Sequence, residues 1–223
     1  MLINQAKYSM IIEQLEEKKV VLVAVSKTKP VEAIEELYDL GQRDFGENYV
    51  QELVEKQAQL PKDIRWHFIG HLQSNKVKHI APFVHLVHGI DSFKLLKEIN
   101  KEAKKNNRTI DVLLQVHIAE EETKFGLDEN ELHELLHTNS DQLHQLTDTT
   151  IKGLMGMASF TDDSQKIRGE FSYLKSLFDK YVQTQIQNSK FEILSMGMSS
   201  DYTIAIEEGS NMVRIGSLIF GDR

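Results

Sequence analysis

VVLVAVSKTKP, residues 20–30, decides the fold of this chain. Residues 20–25 form an unbroken apolar run rich in valine. That length and β-branched content suit a strand buried on both faces. Pro30 then opens a helical pattern, because proline is tolerated in a first helical turn where its missing N–H has no partner to lose. A buried strand running directly into a helix is the start of a βα unit. Lys27 therefore stands just past the carboxyl end of a core strand, on the rim of the fold. A lysine that loses hydration there lowers its pKa and becomes a nucleophilic amine. Its free pKa is about 10.4, so the surroundings or a bound aldehyde must supply the shift. Taken by itself, Lys27 reads as a solvated lysine in a βα turn, and the rest of the chain must argue otherwise.

The alternation continues outward from this unit. Strand-like runs are predicted at 20–25, 43–46, 65–69, 84–88, 110–118, 151–157, 191–194 and 212–215. Helical patterns lie between them at 31–40, 49–60, 92–105, 129–137 and 166–182. Residues 2–17 place Ile3, Met10, Ile11 and Leu15 on one side of a further amphipathic helix. Residues 43–46 are short and polar for a strand, and 138–150 read as a polar loop. Strand alternating with helix in this way predicts a single parallel (β/α)8 TIM-type barrel over residues 1–223. Residues 1–18 form an extra N-terminal helix packed on it, and no second β domain is expected.

Near the C-terminus two short apolar strands end in small polar residues. The first is LSMGMSSD, 194–201, and the second MVRIGSLIFG, 212–221. Glycine lets backbone approach an anion closely, and serine hydroxyls add donors. Two such strand ends in succession resemble the phosphate site of a barrel, built after its last two strands. Lys27, Asn48, Gly70, His117, Met155, Ser199 and Arg214 all fall at or just beyond predicted strand ends, which a parallel barrel gathers on one face.

Composition excludes more than it selects. Lys plus Arg number 26 and Asp plus Glu 34, a formal charge of −8, which argues against a general nucleic-acid binder. There is no cysteine, so no disulfide framework. The N-terminus lacks the basic and apolar regions of a signal peptide, and no apolar run approaches a membrane span. A cytoplasmic protein is the default expectation.

Seven segments then stand in order along the chain: AVSKTKP, FGENYVQE, WHFIGHLQSNK, KFG at 124–126, GLMGMA, SMGMSSD and MVRIGSLIFG. In these the chain resembles the pyridoxal phosphate homeostasis proteins, the YggS/PROSC-type family, over about residues 20–221. That family is similar to the barrel domain of alanine racemase without its second domain. The resemblance implies pyridoxal 5′-phosphate as cofactor, held as a Schiff base on Lys27. It implies phosphate contacts from Ser199, Ser200, Gly216 and Ser217, an Arg214 facing the pyridine nitrogen, and pocket positions at Asn48 and Met196. His71 stands where many relatives have proline, and His117 where they usually have asparagine; no catalytic role is extended to His117. The implied role is vitamin B6 homeostasis without efficient catalysis. Its expected partners are the cofactor, amino acids and apoenzymes that use it, in a monomer or weak homodimer.

An arginine carries no acceptor, so Arg214 could only donate to a pyridine nitrogen, which then stays unprotonated and makes the ring a poor electron sink. The rival reading is an amino-acid racemase, which needs a base on each face of its substrate. Lys27 would serve one face, with Tyr49 and Tyr202 the candidates for the other. A different class is suggested by HELLH, 133–137, which matches the H-E-x-x-H zinc signature. Leu132, Leu135 and Leu136 form the apolar stripe of that helix, so His133 and His137 are expected to face water, and no metal site is assigned. The histidines of VHLVH, 84–88, are expected on opposite faces of their strand.

Overall fold

Eight strands pair in parallel, each with its sequence neighbour, and the last closes on the first. They are β1 (Val21–Val25), β2 (Asp44–Glu47), β3 (Arg65–Phe68), β4 (Leu86–Ile90), β5 (Ile110–Gln115), β6 (Thr149–Met155), β7 (Ser189–Ser195) and β8 (Met212–Ile215). Closure runs through four register pairs, from Val21 with Met212 to Ala24 with Ile215. The computed structural model describes all residues except Met1, Glu122, Thr123, Asn139, Gln185, Gln187, Asp222 and Arg223.

Alternation along the strands separates two apolar layers, as a period of two requires. Val23, Leu86, Leu113, Met155 and Met212, from five different strands, pack together as the lumen core. Leu22, Ala24, Phe45, Trp66, Phe68, Val87 and other alternate residues join the larger cluster under the helices. The outer ring includes α2 (Val31–Asp39), α3 (Val50–Gln59), α5 (Phe93–Lys105) and α8 (Ser164–Val182). Short pieces lie among them: α4 (Val77–Ile80), α6 (Glu129–His133), α7 (Ser140–Leu143), α9 (Tyr202–Glu207) and α10 (Ser217–Phe220).

Helix ends follow capping chemistry. Asp163 accepts from two N–H groups at the start of α8, Ser92 caps α5, and Asp128 with Glu131 forms a capping box on α6. The N-terminal α1 (Gln5–Lys18) buries Tyr8, Ile11 and Leu15 and is tied down where Asn4 N–H donates to the Ile219 carbonyl at 2.7 Å. It begins three residues later than the amphipathic pattern suggested, because Asn4 is its cap.

Three local expectations are revised. Residues 138–150 include α7, and β6 begins at Thr149, two residues before the predicted strand. Asn139 of that segment lies outside the described residues. The HELLH segment leaves the α-helix at Glu134 for a π-helical turn, 134–138. His133 is exposed as expected, but His137 is half-buried, 5.9 Å from the Tyr181 ring between centroids. His85 and His88 do not point to opposite faces, since both rings pack against His67, at 5.4 and 5.2 Å. The reason is that His85 precedes β4, which starts only at Leu86, so strand alternation does not govern its ring.

Gly153 shows how closely the sheet is packed. Its φ is +147°, and a Cβ there would lie 1.9 Å from the Ile193 carbonyl oxygen on β7. Gly153→Ala should therefore cost about 2 kcal/mol or more, read as a clear drop in thermal midpoint. Gly169 is the control: it lies exposed within α8, with nothing within 4 Å of an added Cβ. Gly169→Ala should raise the midpoint, by helix propensity worth roughly 0.5–1 kcal/mol.

Candidate functional site

Beyond β1 the backbone turns at once. Ser26 N–H donates to the Gly46 carbonyl at 3.0 Å, and Lys29 N–H donates back to the Ser26 carbonyl at 3.0 Å. Lys27 rides on this turn, half-buried. The next residue, Thr28, has φ +64°. A left-handed setting costs an L-residue roughly 1–2 kcal/mol, and a branched Cβ makes it rarer still.

The surroundings impose this conformation. The Glu52 carboxylate accepts the Thr28 N–H at 2.5 Å. Lys56 Nζ donates to the Ser26 carbonyl at 2.7 Å, to Glu47 Oε1 at 2.7 Å and to Glu52 Oε1 at 2.6 Å. The Ser26 hydroxyl donates to the same Glu47 oxygen at 2.7 Å. The Lys56 and Glu47 side chains are only 6% and 0% exposed. Burial pushes the Glu47 carboxyl up, and Lys56 opposes that rise. A buried ion pair thus grips the turn that carries Lys27.

The two C-terminal loops meet beside it. Ser199 and Ser200 follow β7, the first half-buried and the second exposed. Gly216 N–H donates to Ser199 Oγ at 3.3 Å, which links the loops after β7 and β8. Ser217 opens α10 directly after Gly216. A Cβ on Gly216 would stand 3.1 Å from the Val25 carbonyl, so this loop lies against the end of β1. Asp201 closes the Ser199 loop by accepting the Met198 N–H at 2.6 Å. Met196 is fully buried in the layer between strands and helices.

Arg214 crosses the mouth of the barrel and is 3% exposed. Its Nη1 donates to the Ser195 carbonyl at 2.9 Å and the Ser195 hydroxyl at 2.7 Å, and Nη2 donates to the Gly156 carbonyl at 3.0 Å. Nε takes no part in these three contacts. Burial lowers its pKa to about 10, against the opposing charge of Asp201, so it stays a cation at neutral pH.

Asn48, Gly70 and His71 occupy the same rim. Asn48 is half-buried, and its Oδ1 is buried without a hydrogen-bond partner. A Cβ on Gly70 would meet the Asn48 carbonyl oxygen at 2.4 Å, so these two loops touch. His71 pairs with Asp91 at 3.1 Å and stacks on Phe125 with centroids 4.1 Å apart. His117 turns into its own loop, where Nε2 meets the Glu121 carbonyl at 2.9 Å. Glu122 and Thr123 of that motif lie outside the described residues. Tyr202 sends its hydroxyl to Gln14 Oε1 on α1 at 3.2 Å, and Tyr49 is 54% exposed.

Lys27, Asn48, Ser199, Arg214, Gly216 and Ser217 are thus brought to one rim. Sequence reading missed the Lys56 clamp. Glu52 and Lys56 at i and i+4 were a visible signal, but their reach to Glu47 and Ser26 is tertiary. It also missed the polar side chains beneath Arg214.

Those side chains line the lumen down to its opposite end. Asp44, His67 and His85 form the single metal-competent trio among the described residues, their ligand atoms within 4.8 Å of one another. Arg65 sits on that carboxylate: its Nε donates to Asp44 Oδ1 at 2.7 Å, and its Nη2 donates to Oδ2. A permanent cation so close opposes a divalent metal there.

Burial pushes the Asp44 carboxyl up, but hydrogen bonds from His67 and Arg65 outweigh it and hold the pKa at about 2. Loss of water around the ring, then His67, lowers His85 to about 4, and burial holds His88 well below its usual value. All three folded values lie below their unfolded ones, so the unfolded state binds more protons as pH falls. Stability should fall as pH drops from about 6.5 to 4 through the histidines, and again below about 4 through Asp44. Urea midpoints at pH 7.5, 5.5 and 4 should decline in that order; a flat or rising series would contradict this accounting.

Known proteins share both the sequence and this architecture. The alanine racemase N-terminal domain family matches residues 5–223. The pyridoxal phosphate homeostasis protein of Aquifex aeolicus is 41% identical over 203 residues, covering 91% of this chain and 86% of that protein. The human pyridoxal phosphate homeostasis protein is 41% identical over 215 residues, covering 91% and 76%. Among solved structures, PipY of Synechococcus elongatus with PLP bound aligns with TM-score 0.86 at 35% identity, over 97% of this chain and 99% of that one. Alanine racemase from Streptomyces coelicolor shares the barrel at TM-score 0.74 and 14% identity, and this chain spans 58% of its length. The chain belongs to the pyridoxal phosphate homeostasis proteins, within the alanine racemase N-terminal domain family.

Proposed function

We propose that this protein binds pyridoxal 5′-phosphate on the carboxyl rim, linked covalently through Lys27, and acts in vitamin B6 homeostasis without efficient catalysis of its own. The observation that carries the reading is the juxtaposition of a rim lysine, two serine–glycine loops and a buried guanidinium at one barrel mouth. The residues fit the group. Asn48 Oδ1 is a buried acceptor that lacks a donor, and Gly216 leaves open the space that a Cβ would fill beside Val25. Both are features of a cradle for a polar ligand.

When bound, pyridoxal phosphate supplies an aldehyde that condenses with a neutral primary amine, releasing water, and a phosphate that accepts hydrogen bonds. Lys27 supplies the amine, and the clamped turn keeps it at the rim. The Ser199 and Ser217 hydroxyls and the Gly216 N–H are the donors for phosphate, with the more exposed Ser200 at the edge. Asn48 contributes at the wall, while Met196 shapes the pocket from behind the strand. Arg214 donates toward the ring nitrogen and gives no acceptor in return. It therefore holds no proton in transit, which disfavours chemistry that needs a strongly electron-withdrawing ring.

A racemase would need a second base opposite Lys27. Tyr202 is directed to α1 by its bond to Gln14 and Tyr49 is largely solvated, which favours the carrier reading. A reversible amine linkage suits delivery to apoenzymes that use the cofactor. We place the protein in the cytoplasm, as a monomer or weak homodimer. No helix among the described residues is long and apolar enough to cross a membrane.

Lys27→Ala should abolish borohydride-trappable attachment of the cofactor, read by mass spectrometry of the intact protein. Trapping at another lysine, Lys29 foremost, would move the anchor. Ser199→Ala or Ser217→Ala should weaken pyridoxal phosphate binding about tenfold, the worth of one charge-assisted hydrogen bond, and leave unphosphorylated pyridoxal nearly unaffected. Equal weakening of both ligands would place the phosphate elsewhere.

A further inference from the structure

Beneath Arg214 a continuous line of polar side chains runs down the apolar lumen. Arg214 Nη1 donates to Ser195 Oγ at 2.7 Å. Ser195 Oγ meets His88 Nδ1 at 3.1 Å, His88 Nε2 meets His67 Nδ1 at 2.9 Å, and His67 Nε2 meets Asp44 Oδ1 at 3.0 Å. Ser195 and His88 are 0% exposed, and His67 is 1% exposed. The line links β8, β7, β4, β3 and β2. It passes among the apolar side chains of the lumen core, where an unmatched polar atom would be costly.

Its ends fix its direction. Arg214 can only donate, so Ser195 Oγ accepts from it. Asp44, ionised between Arg65 and His67, can only accept, so His67 Nε2 must carry a proton and donate. In the tautomer whose proton sits on Nε2 alone, His67 offers Nδ1 as an acceptor, which makes His88 Nε2 the donor. His88 Nδ1 becomes an acceptor in turn and takes the remaining Ser195 hydroxyl proton. Every bond then points from Arg214 toward Asp44, and no donor meets a donor. The reverse direction would need one more proton, on Asp44 or on a histidine. Burial of His88 opposes charging it. The other charged or titratable groups facing the line are Arg65, His85, Arg108 and Asp201.

We propose that Asp44, His67, His88 and Ser195 form one directional hydrogen-bond line that positions the Arg214 guanidinium at the cofactor mouth, with both histidines in the Nε2–H form. These are positioning residues, acting on the ligand only through Arg214. Their effect on a cofactor rests on the reading proposed above; the direction of the line does not. The line couples two regions of different exposure: Arg65 at the far end keeps 48% of its side chain exposed, whereas Arg214 is enclosed. Polarisation along successive bonds strengthens each of them in so apolar a setting. The hydroxyl and two carbonyls that hold the guanidinium are thereby oriented from below, while Asp201 supplies the nearby opposing charge.

Two arms test this with the full chain. The first uses ¹⁵N-labelled protein without cofactor and long-range ¹H–¹⁵N correlation of the imidazoles at pH 7. Both His67 and His88 should show a protonated Nε2 and an unprotonated Nδ1. A protonated Nδ1 on either ring overturns the proposed direction. The second arm compares wild type with Ser195→Ala, which cuts the line beside Arg214 but leaves both carbonyl acceptors. Affinity for pyridoxal phosphate should fall roughly three- to tenfold, the worth of one hydrogen bond, and the ring-nitrogen resonance of ¹⁵N-labelled cofactor should move. Unchanged affinity and an unmoved resonance overturn the positioning role. If Ser195→Ala does not fold, His88→Gln serves, since it keeps a donor toward His67 and interrupts the line at Ser195. A wild-type protein that binds no cofactor defeats the functional reading, while the first arm still decides the direction of the line.

Discussion

The pairing of β1 with β8 is the constraint on which the rest depends. Val21 to Ala24 align with Met212 to Ile215 across nearly the whole length of the chain. This contact closes the barrel and removes both sheet edges. It also sets the loop after β8 against the turn after β1, where Gly216 approaches the Val25 carbonyl. A lysine near the N-terminus and a serine–glycine loop near the C-terminus become neighbours by that pairing alone. Parallel direction does the remainder, because every strand delivers its carboxyl end to the same rim.

Rim position does not by itself make a site. Lys27 is carried by a turn whose next residue, Thr28, holds a left-handed conformation. Strain of that kind persists only where the surroundings over-determine it. Here Glu52 takes the Thr28 N–H while Lys56 grips Ser26, Glu47 and Glu52 together. Burying Lys56 and Glu47 carries a desolvation cost that an apolar pair of equal volume would avoid. An apolar pair could not hold a backbone carbonyl and a carboxylate at once. The clamp therefore makes sense as a positioning device for the turn rather than as a source of stability.

The barrel was legible because its signal is local. Six apolar residues before SKTKP, and comparable runs after it, have strand periodicity that needs no partner to be recognised. The rim residues were legible for the same reason, since each closes a strand. Asp44–Glu47 was the weakest strand to read, because polar residues occupy it and all four are buried. Asp44 and Glu47 have partners only in the folded lumen and under α3, at Arg65, His67 and Lys56. The histidines of VHLVH were misread for a related reason: His85 lies just before the strand, whose start at Leu86 is set by pairing with β3 and β5. HELLH drew attention as a zinc signature, and in the fold its second histidine ring lies beside Tyr181.

These polar exceptions share one logic. A lumen of this width is filled by side chains and excludes water, so each polar group within it must find a fixed partner. Arg214 has a charge that burial opposes and has no adjacent carboxylate among its three described contacts. Replacing it with an apolar residue would remove that burden but would leave the carbonyls of Ser195 and Gly156 without these donors. Keeping it requires acceptors fixed before any ligand arrives, and the strands supply them from their own backbone. An enzyme that withdraws electrons through the ring gains from a carboxylate that keeps the ring nitrogen protonated. This barrel places a donor-only group at its mouth instead, with the nearest lumen carboxylate on the described line, Asp44, already committed to Arg65 and His67. On the reading proposed above, such a donor would hold a ring in place and leave reaction to the Lys27 amine, on the turn that follows the adjacent strand.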